Sequence, residues 1–337
     1  MKLRVGVVGL GSGWESRHRP ALRAMSDRFE VRAICDQIAV RAEQAAKEWN
    51  AQAVDGFRSL AQRDDIDAVL VLAPQWYGTL PMVAAAEAGK AIYTACNLEL
   101  EFDQAKELKR RINESGVAFM AELPRRHSPA TIRLKELIAT RLGQPRLLFC
   151  HTRVPAERSP SASRTTAKIS PLNDLVELVD WCRYVSGREP TSVMSIRHRA
   201  IDDSGDDYQM MNLDFSDAGT GPGSGPTAQI SCGRYMPSQW AEAMAYRTPA
   251  ALQVACERGI AFIDLPSQLI WFDAAGRHQE TLDSERPVGE TMLSFFHRSV
   301  TSLLHNTASL EDAYRALAVV IQARQSHAEN RRVFLEY

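Results

Sequence analysis

The 337-residue sequence has no excess of charge of either sign: 40 Lys and Arg stand against 41 Asp and Glu, a formal net charge of -1. That leaves no basic field to draw in nucleic acid or an anionic membrane surface. No apolar run approaches the ~20 residues that a membrane-spanning helix needs. The six cysteines (Cys35, Cys96, Cys150, Cys182, Cys232 and Cys256) are scattered and never form a C-x-x-C. A chain this long does not depend on a disulfide scaffold, so they read as reduced thiols of a cytoplasmic protein. His18, His127, His151 and His198 stand at no ligand spacing to cysteines or carboxylates, which argues against a metal site. There is no G-x-S-x-G elbow, no P-loop and no internal repeat. The opening MKLRVGVVGLG runs straight into glycines and a charged helix without a cleavage site, so it reads as a buried first strand rather than a signal peptide.

What is present is an ordinary globular composition, 45% apolar and 24% charged. At roughly 100–200 residues per domain the length predicts two domains. The first is expected over 1–122. There, strands at 3–8, 30–35, 67–73, 91–94 and 117–121 alternate with helices after the first glycines, at 40–49, at 79–88 and at 103–115. Strands separated by helices of this length imply right-handed βαβ crossovers and a parallel, doubly wound sheet, an α/β Rossmann domain. The second is expected over 123–337: helices at 129–139 and 173–185, strands at 146–153, 192–200, 208–215, 228–234, 252–256 and 260–265, and closing helices at 291–304 and 310–327. Runs of strands flanked by helices predict an α+β domain on a mostly antiparallel open sheet. Residues 157–171 and 217–227, rich in Ser, Pro and Gly, read as loops. The last helix is expected to pack back near the first domain.

The first turn reads Gly9-Leu10-Gly11-Ser12-Gly13-Trp14. Gly9 allows the tight turn, Gly11 lets the backbone approach a pyrophosphate, and the helix that follows offers free N–H groups and a positive dipole end. Trp14 stands where the dinucleotide fingerprint has Gly or Ala, with Gly13 one residue earlier to relieve it. Asp36 ends the second strand, 22 residues beyond Trp14. A carboxylate there accepts hydrogen bonds from ribose hydroxyls and repels a 2′-phosphate, favouring NAD over NADP. Its plainer reading is an N-cap for the helix that follows, and Arg41 lies close enough to soften the NAD preference.

On these residues the chain resembles the glucose–fructose oxidoreductase / inositol dehydrogenase / MocA (Gfo/Idh/MocA) family. The likeness is carried by VGVVGLGSGWESRHRPAL (5–22), DIDAVLVLAP (65–74), AAAEAGKAIYTA (84–95), LPRRHSPA (123–130), DLVELVDWCRYVSGREP (174–190) and LEDAYRALAVVIQARQSHAENRRV (310–333). The resemblance implies NAD(P)-linked oxidation of a sugar or cyclitol hydroxyl, with Ala73 and Pro74 beside the cofactor. It also implies a homodimer or homotetramer paired through the open sheet of the second domain, where substrate binding and oligomerisation lie.

The family's catalytic residues do not carry over. Its catalytic Lys falls on Cys96, its His on Glu177 and the Asp four residues earlier on Asn173. Glu177 is a candidate general base if burial raises its pKa, or a helix-surface carboxylate. Asp180, three residues on, shares its face and either joins Glu177 in holding a proton or a polyol, or pairs with Arg183. Cys96 reads as a reactive thiol beside the nicotinamide or as a small buried residue. Arg125, Arg126 and His127 either hold an anionic substrate or pair at the domain junction. Lys168 is a candidate for the missing cation, or a solvated loop lysine. Three functions follow: an NAD-dependent oxidoreductase with a non-standard catalytic set, a non-redox ligand-binding or regulatory protein on the same fold, or an NAD-assisted elimination or epimerisation.

Overall fold

The computed structural model describes residues 2–95, 101–156, 171–199, 206–217, 219–237, 239–283, 285–302 and 308–337. The chain divides into two compact units, residues 1–124 with 286–314, and residues 125–285 with 315–337.

In the first unit six parallel strands form one sheet: β1 (Leu3–Val8), β2 (Phe29–Cys35), β3 (Gln52–Ala53), β4 (Ala68–Val71), β5 (Ala91–Ala95) and β6 (Phe119–Glu122). Their order is β3-β2-β1-β4-β5-β6, so the chain reverses direction across the sheet between β1 and β4, the switch point where ligands of doubly wound folds bind. The strands are largely apolar, β4 (AVLV) throughout, because both faces are covered. Val5, Val7, Leu70 and Tyr93 enter one core with Trp14 and Phe296, whereas Val8, Val69, Val71 and Ile92 enter the other with Leu60 and Leu108.

The helices of this unit are α1 (Arg19–Ala24), α2 (Ala39–Trp49), α3 (Phe57–Ala61), α4 (Pro74–Tyr77), α5 (Leu80–Glu87) and α6 (Phe102–Ser115). The expected first helix is split: Trp14–His18 is a π-helical turn that passes into α1 at Pro20. Glu101 and Gln104 form a reciprocal capping box at the start of α6, and Gly116 ends it in the left-handed region. The short α3 and α4 escape a periodicity reading because neither completes two turns.

In the second unit α7 (Pro129–Leu137) and α8 (Pro171–Ser186) accompany a nine-stranded sheet. Its strands are β7 (Pro145–Ala156), β8 (Ser192–Arg199), β9 (Asp206–Asp214), β10 (Thr227–Pro237), β11 (Leu252–Cys256), β12 (Ile260–Asp264), β13 (Gln268–Asp273), β14 (Gly276–Thr281) and β15 (Val333–Phe334). The order is β14-β13-β12-β11-β7-β10-β9-β8-β15. β7 and β10 run parallel and every other described pairing is antiparallel. The β13–β14 hairpin was not expected: β14 (GRHQET) carries no large aliphatic residue, so its alternation has no apolar phase to read. The short α9 (Ala241–Ala245) precedes β11. Two helices follow: α10 (Val288–Thr301) sends Met292, Leu293 and Phe296 into the first unit's core, and α11 (Ala308–Glu329) divides between the units. Of the expected loop at 157–171, residues 157–170 lie outside the described residues, as does the helix end at Leu304, and Pro171 opens α8 instead.

Candidate dinucleotide turn and acidic helix

The glycine turn leaves β1 at the switch point. Gly9 holds φ +80, and a Cβ there would collide with that of Ala73; a Cβ on Gly11 would collide with the Leu72 carbonyl oxygen. The turn therefore lies directly against the segment leaving β4, and only glycine admits that approach. Ser12 is exposed on its rim, Gly13 is half-buried, and no side chain caps the helical turn that follows. The Trp14 indole is 3% exposed and tilts against Trp49 at 6.3 Å between ring centres. Its bulk thus enters the core beneath the turn, and its backbone N–H closes the turn on Gly11 O at 3.0 Å. Pro74 opens α4, its ring outside the described side chains.

Asp36 is buried at the end of β2. One carboxylate oxygen accepts from Leu10 N–H at 2.7 Å and the other from Ile38 N–H at 2.9 Å. It is not the N-cap of α2: that position belongs to Ile38, two residues on, which makes no side-chain cap. Asp36 instead braces the glycine turn, and its oxygens retain lone pairs for further donors. Arg41 donates to the Leu10 carbonyl at 2.6 Å from the other side. A glycine cradle, an uncapped helical turn and a carboxylate at the end of β2 fit a dinucleotide.

A buried polar cluster beneath this turn went unread in the sequence. His18 and Glu122 are 3% and 2% exposed and hydrogen-bond through Nε2 and Oε1. Arg17 Nη2 pairs with the other Glu122 oxygen at 3.2 Å. Burial works to raise the Glu122 pKa, but His18, Arg17 and Tyr93 together hold it below the usual carboxylate range. Burial and the facing Glu122 push the Tyr93 phenol well above its ordinary value. The partners lie 104 residues apart, so no local spacing announces them.

In the second unit, α8 sets three carboxylates at intervals of three residues, and each meets an arginine. Asp174 pairs with Arg234 of β10 at 3.3 Å, and Glu177 with Arg125 at 3.4 Å. Asp180, 1% exposed, accepts from Arg126 Nε at 2.8 Å and lies 3.5 Å from Arg183. Arg125 also lies over the Trp181 ring at 5.5 Å and Arg126 over Tyr184 at 5.1 Å, contacts in which a cation meets the negative face of a ring. Glu177 and Asp180 are thus drawn to separate arginines. His127 stands on the same 3₁₀ turn (Pro124–His127) as both arginines. Burial, and then the Arg126 charge, lower its pKa to about 4, so it is neutral at pH 7. Asn173 lies in the first turn of α8 with its side chain outside the described set, and Cys96 and Lys168 lie outside the described residues. The other five cysteines are buried free thiols. Among the described residues no His, Cys, Asp and Glu cluster has metal-binding geometry, and no helix is long and apolar enough to cross a membrane.

Residues 3–123 match the model of an oxidoreductase family with an NAD-binding Rossmann fold, Gfo/Idh/MocA. The chain is 28% identical over 149 residues to the galactose/lactose metabolism regulatory protein GAL80 of Saccharomyces cerevisiae, covering 41% of this chain and 34% of that one. It is 28% identical over 196 residues to the scyllo-inositol 2-dehydrogenase (NAD(+)) of Bacillus subtilis, covering 57% and 56%. Matches to these and other curated relatives span 34% to 60% of the relatives' lengths. A levoglucosan dehydrogenase solved with NADH and levoglucosan shares the fold across the whole of both chains, with a TM-score of 0.84 at 18% identity. Residues 3–123 are thus similar to the NAD-binding Rossmann domain of the Gfo/Idh/MocA oxidoreductase family, and the whole chain shares the two-unit fold of the solved structures it resembles.

Proposed function

We propose that the protein is an NAD-dependent oxidoreductase acting on a hydroxyl of a sugar, polyol or sugar acid, with Glu177 in place of the family's histidine. The observation that carries this reading is the glycine turn braced by Asp36, which keeps a cofactor cradle intact. NAD, when bound, supplies a nicotinamide that accepts hydride. Gly9, Gly11, Ser12, Gly13 and Asp36 hold it, with Ala73 and Pro74 alongside. Glu177 takes the hydroxyl proton at its carboxylate, and Arg125 beside it orients the substrate oxygen. Arg126, held by Asp180, keeps the second guanidinium fixed. NAD is preferred to NADP because a 2′-phosphate would meet the Asp36 charge.

The test is Glu177→Gln. It is expected to abolish nicotinamide reduction across a polyol and sugar panel while NADH binding stays unchanged. Wild-type rates in this variant would remove Glu177 from the mechanism. The likeness to a regulatory protein, together with a Glu177 already paired to arginine, favours a second reading: a ligand-sensing protein that binds the dinucleotide without turnover. That reading expects thermal stabilisation by NADH and sugars with no reduction of NAD by any of them, and one substrate oxidised at an ordinary rate would eliminate it.

A further inference from the structure

Arg17 is the fourth residue after Gly13, on the π-helical turn that the glycine turn feeds. Three contacts fix its side chain. A Cβ at Gly13 would come within 3.0 Å of Arg17 Nη2, so the guanidinium lies against the backbone of the turn. Glu122 holds the same nitrogen at 3.2 Å. The aliphatic stem runs beneath α10 at Gly289, where a Cβ would stand 2.9 Å from Arg17 Cγ, and that close approach closes the space on the far side of the stem. Arg17 Nε is nevertheless buried without a hydrogen-bond partner, while 31% of the side chain remains exposed. A buried guanidinium N–H left unmatched costs free energy, so this one calls for an explanation. The neighbouring Arg41 is committed to the Leu10 carbonyl. Glu122 is ionised and already shared with His18, so it steers Arg17 and leaves its remaining donors available.

We propose that Arg17 is a binding residue for the diphosphate of the dinucleotide, pre-set against the glycine turn by Glu122 and Gly289. A guanidinium held in place before binding loses little side-chain freedom when the anion arrives and can meet two phosphate oxygens with its fork of donors. Glu122 is in this account a positioning residue that acts through Arg17.

The inference rests on the cofactor reading above, and its test separates the two. NADH, ADP-ribose and adenosine are titrated against the full-length protein and its Arg17→Gln, Arg17→Lys and Glu122→Gln variants, following energy transfer from tryptophan for NADH and competition for the others. Arg17→Gln is expected to weaken NADH and ADP-ribose alike, roughly tenfold to a hundredfold, and to leave adenosine unchanged, because adenosine has no phosphate. Arg17→Lys is expected to recover part of that loss, since it keeps the charge and gives up the fork. Glu122→Gln is expected to weaken NADH less, and the double variant with Arg17→Gln no more than Arg17→Gln alone, because the two act through one guanidinium. Equal NADH affinity in wild type and Arg17→Gln overturns the role of Arg17 and leaves the cofactor site standing. An equal loss for adenosine overturns it as well, because the effect then lies in the shape of the turn. If Arg17→Gln does not fold, Arg17→Lys decides the matter by the same ligand comparison. A wild-type protein that binds no NADH overturns the cofactor reading itself.

Discussion

Each acidic side chain of α8 faces an arginine brought from another part of the second unit. Asp180 is buried between Arg126 and Arg183, which fix it in place. Glu177 is a quarter exposed and has Arg125 at 3.4 Å. His127, on the same turn as Arg125 and Arg126, is one residue through which pH acts. Its pKa falls from 6.5 in the unfolded chain to about 4 in the folded one. The unfolded state therefore takes up a proton below pH ~6.5 that the folded state refuses until about 4. Its share of stability is complete above pH ~6.5 and is lost as pH falls toward 4. His127→Gln is expected to flatten that part of the acid limb when urea midpoints are compared between pH 7 and pH 4.5. An unchanged slope would mean that His127 is protonated in the folded protein.

At the scale of elements, the glycine turn is where sequence and structure agree most closely, because a turn pressed against a neighbouring backbone needs residues of one kind. Gly11→Ala is expected to destabilise the protein by about 1–3 kcal/mol, as inserting a carbon against the Leu72 carbonyl forces the backbone to move. It is also expected to weaken NADH. Thermal melts and a cofactor titration check both, and a variant as stable and as tight as wild type would contradict the described packing. The parallel sheet was legible from apolar runs separated by helices, and α8 from its length and apolar face. The β13–β14 hairpin was not, since β14 lies at the edge of its sheet and alternates Arg, Gln and Thr with His and Glu. Nor was the split of the first helix, because a π-helical turn differs from an α-helix by one residue per turn and leaves no periodic trace over five residues. His18, Arg17, Tyr93 and Glu122 stayed hidden because they come from three separate segments and meet only once the sheet has formed.

At the scale of the molecule, the second sheet has helices on one face and a mixed opposite face with several exposed apolar side chains. By strand register Met194, Ile196, Met210, Leu147, Phe149 and Phe272 share that face, and Ile196 is 52% exposed and Leu147 46%. Exposed apolar residues on both sides of the polar β10 row Thr227, Gln229 and Ser231 suit an interface, and we propose that a homodimer or homotetramer pairs through this face. Sedimentation is expected to give two or four copies for the wild type and a smaller species for Ile196→Glu. A wild-type monomer would contradict this assignment. That the braced glycine turn holds NAD(H), on which the proposed NAD-linked activity depends, is tested most directly by titrating the purified protein with NADH and NADPH and following energy transfer from tryptophan to the nicotinamide. Saturable NADH binding is expected, with NADPH weaker by at least about tenfold, the discrimination that arises when a 2′-phosphate meets a fixed carboxylate. Binding of neither nucleotide would contradict this and would leave the braced glycine turn as only a structural joint.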